Sequence, residues 1–516
     1  MWFVTQNIRI YKTKYMQNSY LQLESPGIIS AILVSGIGGT FQYGFHISVM
    51  TSPSLFIKEL VNKTCEYRYN LYLEQWQVSL IWSFIVSIFC IGGLLGALCG
   101  GRLASKYGRK QCLLMSDVLA IGGALLMVLS KTAISFEMIM VGRFIYGINS
   151  GCSLTVHMMY VVECAPKRLR GMVGVTAISF ISFGKLCGQL LGISELLGTE
   201  DRWPWLLGFS GFTALLQLVT LPFLPESPRF LLLERGDHKG CTEAIRRLWG
   251  NKDYSVEVEE MLEEYAALQG VHYHTMMELI RNQTVRWQLL TVIVASVSLQ
   301  LCGINAVYFY SYDVFSAAGI PEQNLRYAAL GTGLFELFGS IVCFMSIEST
   351  GKRVLFFRGY VGMAVALGLL VITISLQNWV AWMPYFSMVF ILIFIFWFAF
   401  GPAGVSGPLS GEIFAQSFKS AAYTISTTSN WLCLFFLGML FPLMVEHLSY
   451  FCFLIFLCFC LFCAVFLRMH LPETKNKTVL EITAEFDRMH SKSRGAQKTS
   501  SNAHTPNAIQ IYETKL

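Results

Sequence analysis

Long apolar runs recur along the chain and are cut by short charged breaks. A helix crosses the hydrocarbon of a bilayer with about 20 mostly apolar residues. Twelve stretches meet that requirement, at 28–50, 78–100, 112–130, 138–160, 172–193, 205–224, 288–315, 328–348, 354–376, 384–409, 424–445 and 449–468. Breaks such as Arg102-Leu-Ala-Ser-Lys106-Tyr-Gly-Arg109-Lys110 are too polar to lie in lipid. The pattern predicts an all-α membrane protein with twelve transmembrane helices. Residues 1–27 are polar and hold Arg9, Lys12 and Lys14, and no small-residue cleavage site follows the first run, so a cleaved signal peptide is not expected.

Composition agrees. Of 516 residues, 54% are hydrophobic and 14% charged, against roughly 25% charged in soluble domains. A net charge of +6 is small for this length and gives no support for nucleic-acid binding. Most of the 15 cysteines sit in apolar runs as small core residues. Cys65 alone falls in a polar loop that can face an oxidising compartment, with no obvious disulfide partner there. No phosphate-binding Gly-x4-Gly-Lys loop, metal-ligand cluster or catalytic triad appears, so neither an enzyme, an ATP-driven pump nor a cofactor is expected.

Lysine and arginine in short loops set orientation. With the N-terminus cytoplasmic, the inner loops hold Arg102, Lys106, Arg109, Lys110, Lys167, Arg168, Arg170, Lys352, Arg353, Arg358 and Lys419. The outer loops hold Lys58, Lys63, Arg68, Lys131, Arg202 and Arg326. Both termini are then cytoplasmic. The sequon Asn62-Lys63-Thr64 lies in the first outer loop, where N-glycosylation can reach it, whereas Asn282-Gln283-Thr284 lies inside and stays bare.

The chain repeats itself. Gly108-Arg109-Lys110 returns as Gly351-Lys352-Arg353, Glu163 with Arg170 as Glu412 with Lys419, and Pro225-Glu226-Ser227 as Pro472-Glu473-Thr474, at offsets of 243, 249 and 247. Each pair follows the second, fourth or sixth run of its half. The expected organisation is therefore a cytoplasmic segment 1–27, a six-helix bundle 28–224, a linker with helices 225–287, a second six-helix bundle 288–470 and a cytoplasmic tail 471–516. Two such bundles with a substrate site between them near the midplane are a common transporter plan. The charged residues at the inner helix ends read as a gate latch: Arg109, Arg170, Lys352 and Arg353 with Glu163, Glu348 and Glu412, pairing across the cytoplasmic face when the inside is shut. The simpler alternative is that the basic residues there only set topology.

Taken together, Gly108-Arg109-Lys110, Gly142-Arg143, Glu163 to Arg170-Gly171, Pro225-Glu-Ser-Pro-Arg229, Gln300-Leu-Cys-Gly-Ile-Asn305-Ala, Gly351-Lys-Arg353 and Pro472-Glu-Thr-Lys475 strongly resemble the facilitative sugar transporters of the major facilitator superfamily. The likeness covers nearly the whole chain, and the short first outer loop points to the branch that carries fructose and urate. It implies the major facilitator fold, transport of a small sugar across a lipid bilayer by alternating access, and the plasma membrane as residence. It also implies sugar contacts at Gln300, Asn305 and Tyr310 on helix 7, Asn430 and Trp431 on helix 11, and Tyr43 on helix 1. Interhelical bonding or packing is the competing role for each.

Departures from the family pattern argue against high-selectivity glucose transport. Ile178 stands where the family usually has a sugar-binding glutamine, and Gly407 where glucose carriers have a tryptophan. Ser296-Val297-Ser298 replaces a Gln-Leu-Ser triplet, Leu299 the first glutamine of the helix 7 motif, Leu434 an asparagine and Met158 a proline. Proton-coupled relatives carry an aspartate at the position of His46. Histidine titrates near neutral pH, yet no relay carboxylate accompanies it, so His46 and His157 read as polar cavity groups or satisfied interhelical histidines.

Among the charges inside expected spans, Lys185 and Glu336 stand out, at a cost of about 2.5–3.5 kcal/mol each on insertion scales. Ile178, Ser182, Lys185 and Gln189 share one helix face, so Lys185 points to the cavity. At about 1.5 Å per residue the two charges lie at comparable depth. In this superfamily helices 5 and 8 face each other, and a Lys185–Glu336 contact closing the outer half is expected. A snorkelling Lys185 with a protonated Glu336 is the alternative.

The function expected is facilitative hexose uniport, fructose before glucose, with Glu336 and His46 also lining the site. Urate or organic-anion carriage, proton-coupled symport and a transport-poor sugar sensor are the other readings. The C-terminal Thr514-Lys515-Leu516 can dock a PDZ-type domain through its carboxylate.

Overall fold

The computed structural model describes residues 26–166, 169–250, 254–268, 274–448, 451–475, 477 and 479–495. The N-terminal segment to residue 25, Lys167, Arg168 and Thr514-Lys515-Leu516 lie outside the described residues. Among them every expected span is met by a helix or by a broken run of helices, and no strand occurs.

In chain order the first half holds α1 (Pro26–Gly38), α2 (Thr40–Ser48), α3 (Ser54–Tyr69), α4 (Gln75–Tyr107), α5 (Arg109–Ser130), α6 (Phe136–Cys164), α7 (Arg170–Leu191) and α8 (Trp203–Thr220). The linker supplies α9 (Pro228–Leu233), α10 (His238–Trp249), α11 (Ser255–Leu268) and α12 (Met276–Arg281). The second half holds α13 (Arg286–Leu301), α14 (Ile304–Phe309), α15 (Ser311–Ala317), α16 (Leu325–Thr350), α17 (Lys352–Ser375), α18 (Met383–Phe398), α19 (Gly404–Ile413), α20 (Gln416–Leu448) and α21 (Cys452–His470), followed by α22 (Val479–Gly495). The first span is α1 with α2, the seventh α13 to α15, and the tenth α18 with α19 through a π-helical turn that contains Pro402.

Ten described stretches are long and apolar enough to cross a membrane by length and composition. The two expected spans outside that set are α6, which is polar for its length, and α7, whose continuous described apolar part is Thr176–Leu191. α6 buries Arg143, Asn149, Ser150, Ser153 and His157 inside the bundle, and α7 carries Lys185 within that apolar part. Their polar groups turn away from lipid, where nothing would satisfy them. The first bundle packs α6 against α4 and α5, α5 against α8, and α2 against α7; the second packs α17 against α18 and α21, α16 against α18, and α13 against α20. The bundles meet along two main seams, α4 with α20 and α7 with α16.

The sequence repeat is a capping device. Gly108 and Gly351 adopt φ of +105° and +89°, the left-handed region where glycine is favoured, and turn the chain sharply between consecutive spans. Beneath each turn a carboxylate caps the next helix. Glu226 accepts from Lys110 N at 3.1 Å, and Glu473 accepts from Lys352 N at 3.0 Å and Arg353 N at 3.2 Å. The repeated Pro-Glu motif thus ties the end of each bundle's sixth span to the start of its third. Glu226→Ala and Glu473→Ala are each expected to cost about 1 kcal/mol of stability, as lost helix caps do, and to add when combined, since distant sites rarely couple. Thermal melting of the detergent-purified variants measures both.

The polar first outer loop is not irregular chain. It is largely the helix α3, with Cys65 buried at 6% exposure. Burial, with the Glu137 carboxylate nearby, holds the Cys65 thiol above its usual range. Asn62 is exposed on the same helix, while Thr64 donates to the carbonyls of Leu60 and Ile134.

Candidate binding site between the bundles

The seventh span is broken where the chemistry gathers. In an unbroken helix, residues five apart point about 140° away from each other. The chain stops α13 at Leu301 and turns through Gly303 at φ +89°, against the ring of Phe456. That break brings Asn305 onto Gln300: Asn305 Nδ2 donates to Gln300 Oε1 at 2.6 Å, and Gln300 Nε2 donates to Asn430 Oδ1 at 2.8 Å. The relay runs from α14 through α13 to α20. Gln300 and Asn305 are buried and Asn430 half-buried. Amides both donate and accept, so the same three side chains can pair with the hydroxyls of a polyol in either sense.

An aromatic wall stands beside the relay. Trp431, next to Asn430, is 2% exposed and reaches across to the first bundle, with ring centroids 5.6 Å from Tyr43 and 5.9 Å from Phe89. Its ring lies over Gly93 of α4, where a Cβ would come within 2.3 Å. The His46 ring lies tilted against that of Tyr146, with centroids 4.1 Å apart, and its Nε2 has no hydrogen-bond partner among the described residues. The Tyr310 hydroxyl donates to Gly438 O at 2.6 Å, a bond that anchors α14 to α20. Gly407 opens onto free space: a Cβ added to it would meet nothing within 4 Å among the described residues. Ser296 pairs with Ser426 at 2.6 Å and Ser298 with Tyr360 at 2.5 Å, so the serine pair at the altered triplet is spent on helix packing.

Lys185 and Glu336 meet. Nζ lies 2.9 and 3.0 Å from the two carboxylate oxygens, Ser182 Oγ donates to Oε1 at 3.4 Å, and the Tyr308 ring lies 4.2 Å from Nζ. Further along the same seam Gln189 Nε2 donates to Thr332 Oγ1 at 2.6 Å and Gly333 N to Gln189 Oε1 at 3.1 Å. At its end Tyr327 donates to Glu195 at 2.9 Å, and on the neighbouring seam Thr51 donates to Tyr308 O at 2.7 Å. In the other direction α7 and α16 part around a cleft lined by Ile178, Ser179, Ser340, Cys343, Phe344, Ile347, Ala399 and Gly404.

At the opposite end, the charged motifs pair differently from the expected latch. Arg109 binds Glu163 at 3.0 Å and Glu234 of the linker at 2.7 Å, over the ring of Phe230. Lys352 pairs with Glu412, and Arg353 donates to Arg468 O. Arg170 Nε donates to Ala165 O at 3.4 Å. Arg109 and Lys352 therefore pair within their own bundles, not across the face between them. The third and fourth spans of each half pack directly on each other, α5 on α6 and α17 on α18 and α19, which sets their inner ends side by side, and Glu234 at the end of the linker helix α9 adds the third partner. The side chain of Glu348 lies outside the described residues. Sequence reading also missed Arg143, which is 1% exposed and donates to His46 O and Val86 O at 3.0 Å each. A charge inside a polar-rich span, in the motif Gly142-Arg143, was the available signal.

Comparison with known proteins settles the family. The family described as Sugar (and other) transporter matches residues 31–486. The chain belongs to this sugar transporter family. It is 42% identical over 464 residues to human "Solute carrier family 2, facilitated glucose transporter member 9", covering 90% of this chain and 86% of that protein. To human member 11 it is 41% identical over 463 residues, with 90% and 93% covered, and to member 5 of Bos taurus 38% identical over 466 residues, with the same shares. Among solved structures, the xylose transporter XylE from E. coli in a partially occluded inward open conformation superposes with a TM-score of 0.73 at 23% identity, covering 88% of this chain and 100% of that one. That likeness shows the major facilitator fold. This member of the family is thus a multi-pass membrane transporter and not an enzyme.

Proposed function

We propose that the chain is a facilitative hexose uniporter that takes fructose as its main substrate and glucose as a second, by alternating access between the two bundles. The observation that carries this reading is the amide relay Asn305–Gln300–Asn430 at the break of the seventh span, with Trp431 and Tyr43 beside it. A neutral, hydroxyl-rich ligand matches that set, because its hydroxyls can take over each bond of the relay in turn. The open space at Gly407 favours a broader site than that of a selective glucose carrier. Glu336 lines the site from α16, and His46 and Tyr310 support its wall.

The face with the Gly108 and Gly351 turns is the cytoplasmic one on this reading, with both termini inside a plasma membrane and Asn62 glycosylated outside. Arg109, Glu163, Arg170, Glu348, Lys352, Arg353 and Glu412 then form the inner gate, locking each bundle's rim so that the bundles move as units. A PDZ-type partner for the C-terminus and a sugar substrate complete the set.

Uptake of radiolabelled fructose, glucose and urate into proteoliposomes tests the reading. Saturable fructose uptake that ignores an imposed pH gradient is the expected result. Urate uptake without fructose uptake would overturn it.

A further inference from the structure

We infer that the Lys185–Glu336 pair is a substrate-sensed latch: it holds the outer half of the seam shut in the empty carrier and yields to a neutral polyol bound beneath it. The inference rests on the uniport reading above. Lys185 on α7 and Glu336 on α16 belong to different bundles, so any outward opening must part them. Their side chains are 5% and 4% exposed, and both carboxylate oxygens accept from the same ammonium. Separating a dry, bidentate ion pair leaves two charges to be satisfied again, which is far more costly than breaking a neutral bond. The next ties along the α7–α16 seam, at Gln189 with Thr332 and Gly333, are neutral, and the carboxylate at its end, Glu195, is exposed and bonds only the Tyr327 hydroxyl across the seam among the described residues.

The pair is also the tooth of the seam nearest the site. One to three helical turns away lie Ser340, Cys343 and Ile347 on α16, and Ser179 and Ile178 on α7, the residues that line the cleft. In this shut state the cleft is too narrow for a hexose, so a polyol that widens it from below meets Ser182 and the Glu336 carboxylate before it meets Gln189, Thr332 or Glu195. A polyol brings both partners the parting charges need: a hydroxyl hydrogen for Glu336 and a hydroxyl oxygen for Lys185. An anion satisfies only Lys185 and a cation only Glu336. The Tyr308 ring under Nζ gives the ammonium a second favourable contact while it lets go. The loaded carrier therefore opens outward more easily than the empty one, and the empty return is the slow step of net transport.

The readout is the ratio of hexose exchange, with sugar on both sides, to net flux into a sugar-free side. In the unmodified protein exchange should exceed net flux by about fivefold or more, the order a partly relieved ion pair supplies. In Lys185→Met with Glu336→Gln the ratio should fall to near unity, because net flux is no longer held below exchange, whatever the loss of Glu336 from the site does to the size of both. Exchanging the charges, Lys185→Glu with Glu336→Lys, should bring the ratio back above that of the neutral double variant. Glu336→Asp keeps the charge but shortens the reach, and should give an intermediate ratio even where the double variant folds poorly. A merely structural pair would lower both fluxes together and leave the ratio unchanged, and that result overturns the latch. A ratio near unity in the unmodified protein also overturns it. Absence of hexose flux in both modes removes the uniport reading and the latch with it.

Discussion

Replacing Gln300 with Leu is expected to lower hexose flux by about two orders of magnitude while the protein stays folded. Gln300 is the middle of the relay. It accepts from Asn305 at 2.6 Å and donates to Asn430 at 2.8 Å, so the substitution strips a partner from both at once. Each buried polar group left unpaired costs about 1–3 kcal/mol, and sites built to bond a hydroxyl lose discrimination steeply when that bond is gone. Leucine has a similar volume, so packing against α20 is kept. Initial uptake rates, set beside the melting temperature of the same preparation, measure the two effects separately. Unchanged flux with an unchanged melting temperature would place the sugar elsewhere.

Arg143→Met is expected to do the reverse and remove the fold. The Arg143 guanidinium reaches from α6 to carbonyls on both α2 and α4, at His46 and Val86, and lies 4.5 Å from the Phe89 ring. Two charge-assisted bonds of about 1.5–3 kcal/mol each are lost together, and the whole stability of a domain is about 5–15 kcal/mol. The consequence is a monodisperse fraction that falls severalfold on size-exclusion chromatography, before any question of transport arises. Arg143→Lys keeps the charge but not the fork that serves two carbonyls, and should recover only part of the yield. Wild-type yield from Arg143→Met would show that the carbonyls are satisfied without it.

Apolar run lengths located all twelve spans, since a bilayer imposes one length on every helix that crosses it. The residue repeat located the two capping turns because Gly108 and Gly351 each need a left-handed backbone above a carboxylate. Lys185 and Glu336 were legible as partners, since charges at equal depth in facing helices have few alternatives in a dry seam. The partners of Arg109 and Lys352 were not. Each has acids of its own bundle and of the other within plausible reach, and sequence spacing does not say which rim residue lies nearer. Glu234 escaped notice because α9 folds back from the linker, outside the repeat. The break at Gly303 was hidden inside an apolar run with no proline, and with it the reason that residues five apart share one site.

The most direct test of transport by alternating access is equilibrium counterflow in proteoliposomes with no ion gradient. Vesicles loaded with unlabelled fructose are diluted into a trace of labelled fructose. Transient accumulation of label above its equilibrium level, saturable and unchanged when the pH difference is collapsed, is the expected result. Labelled sugar that merely equilibrates without overshoot, or that accumulates only with a proton gradient, would contradict a two-bundle uniporter.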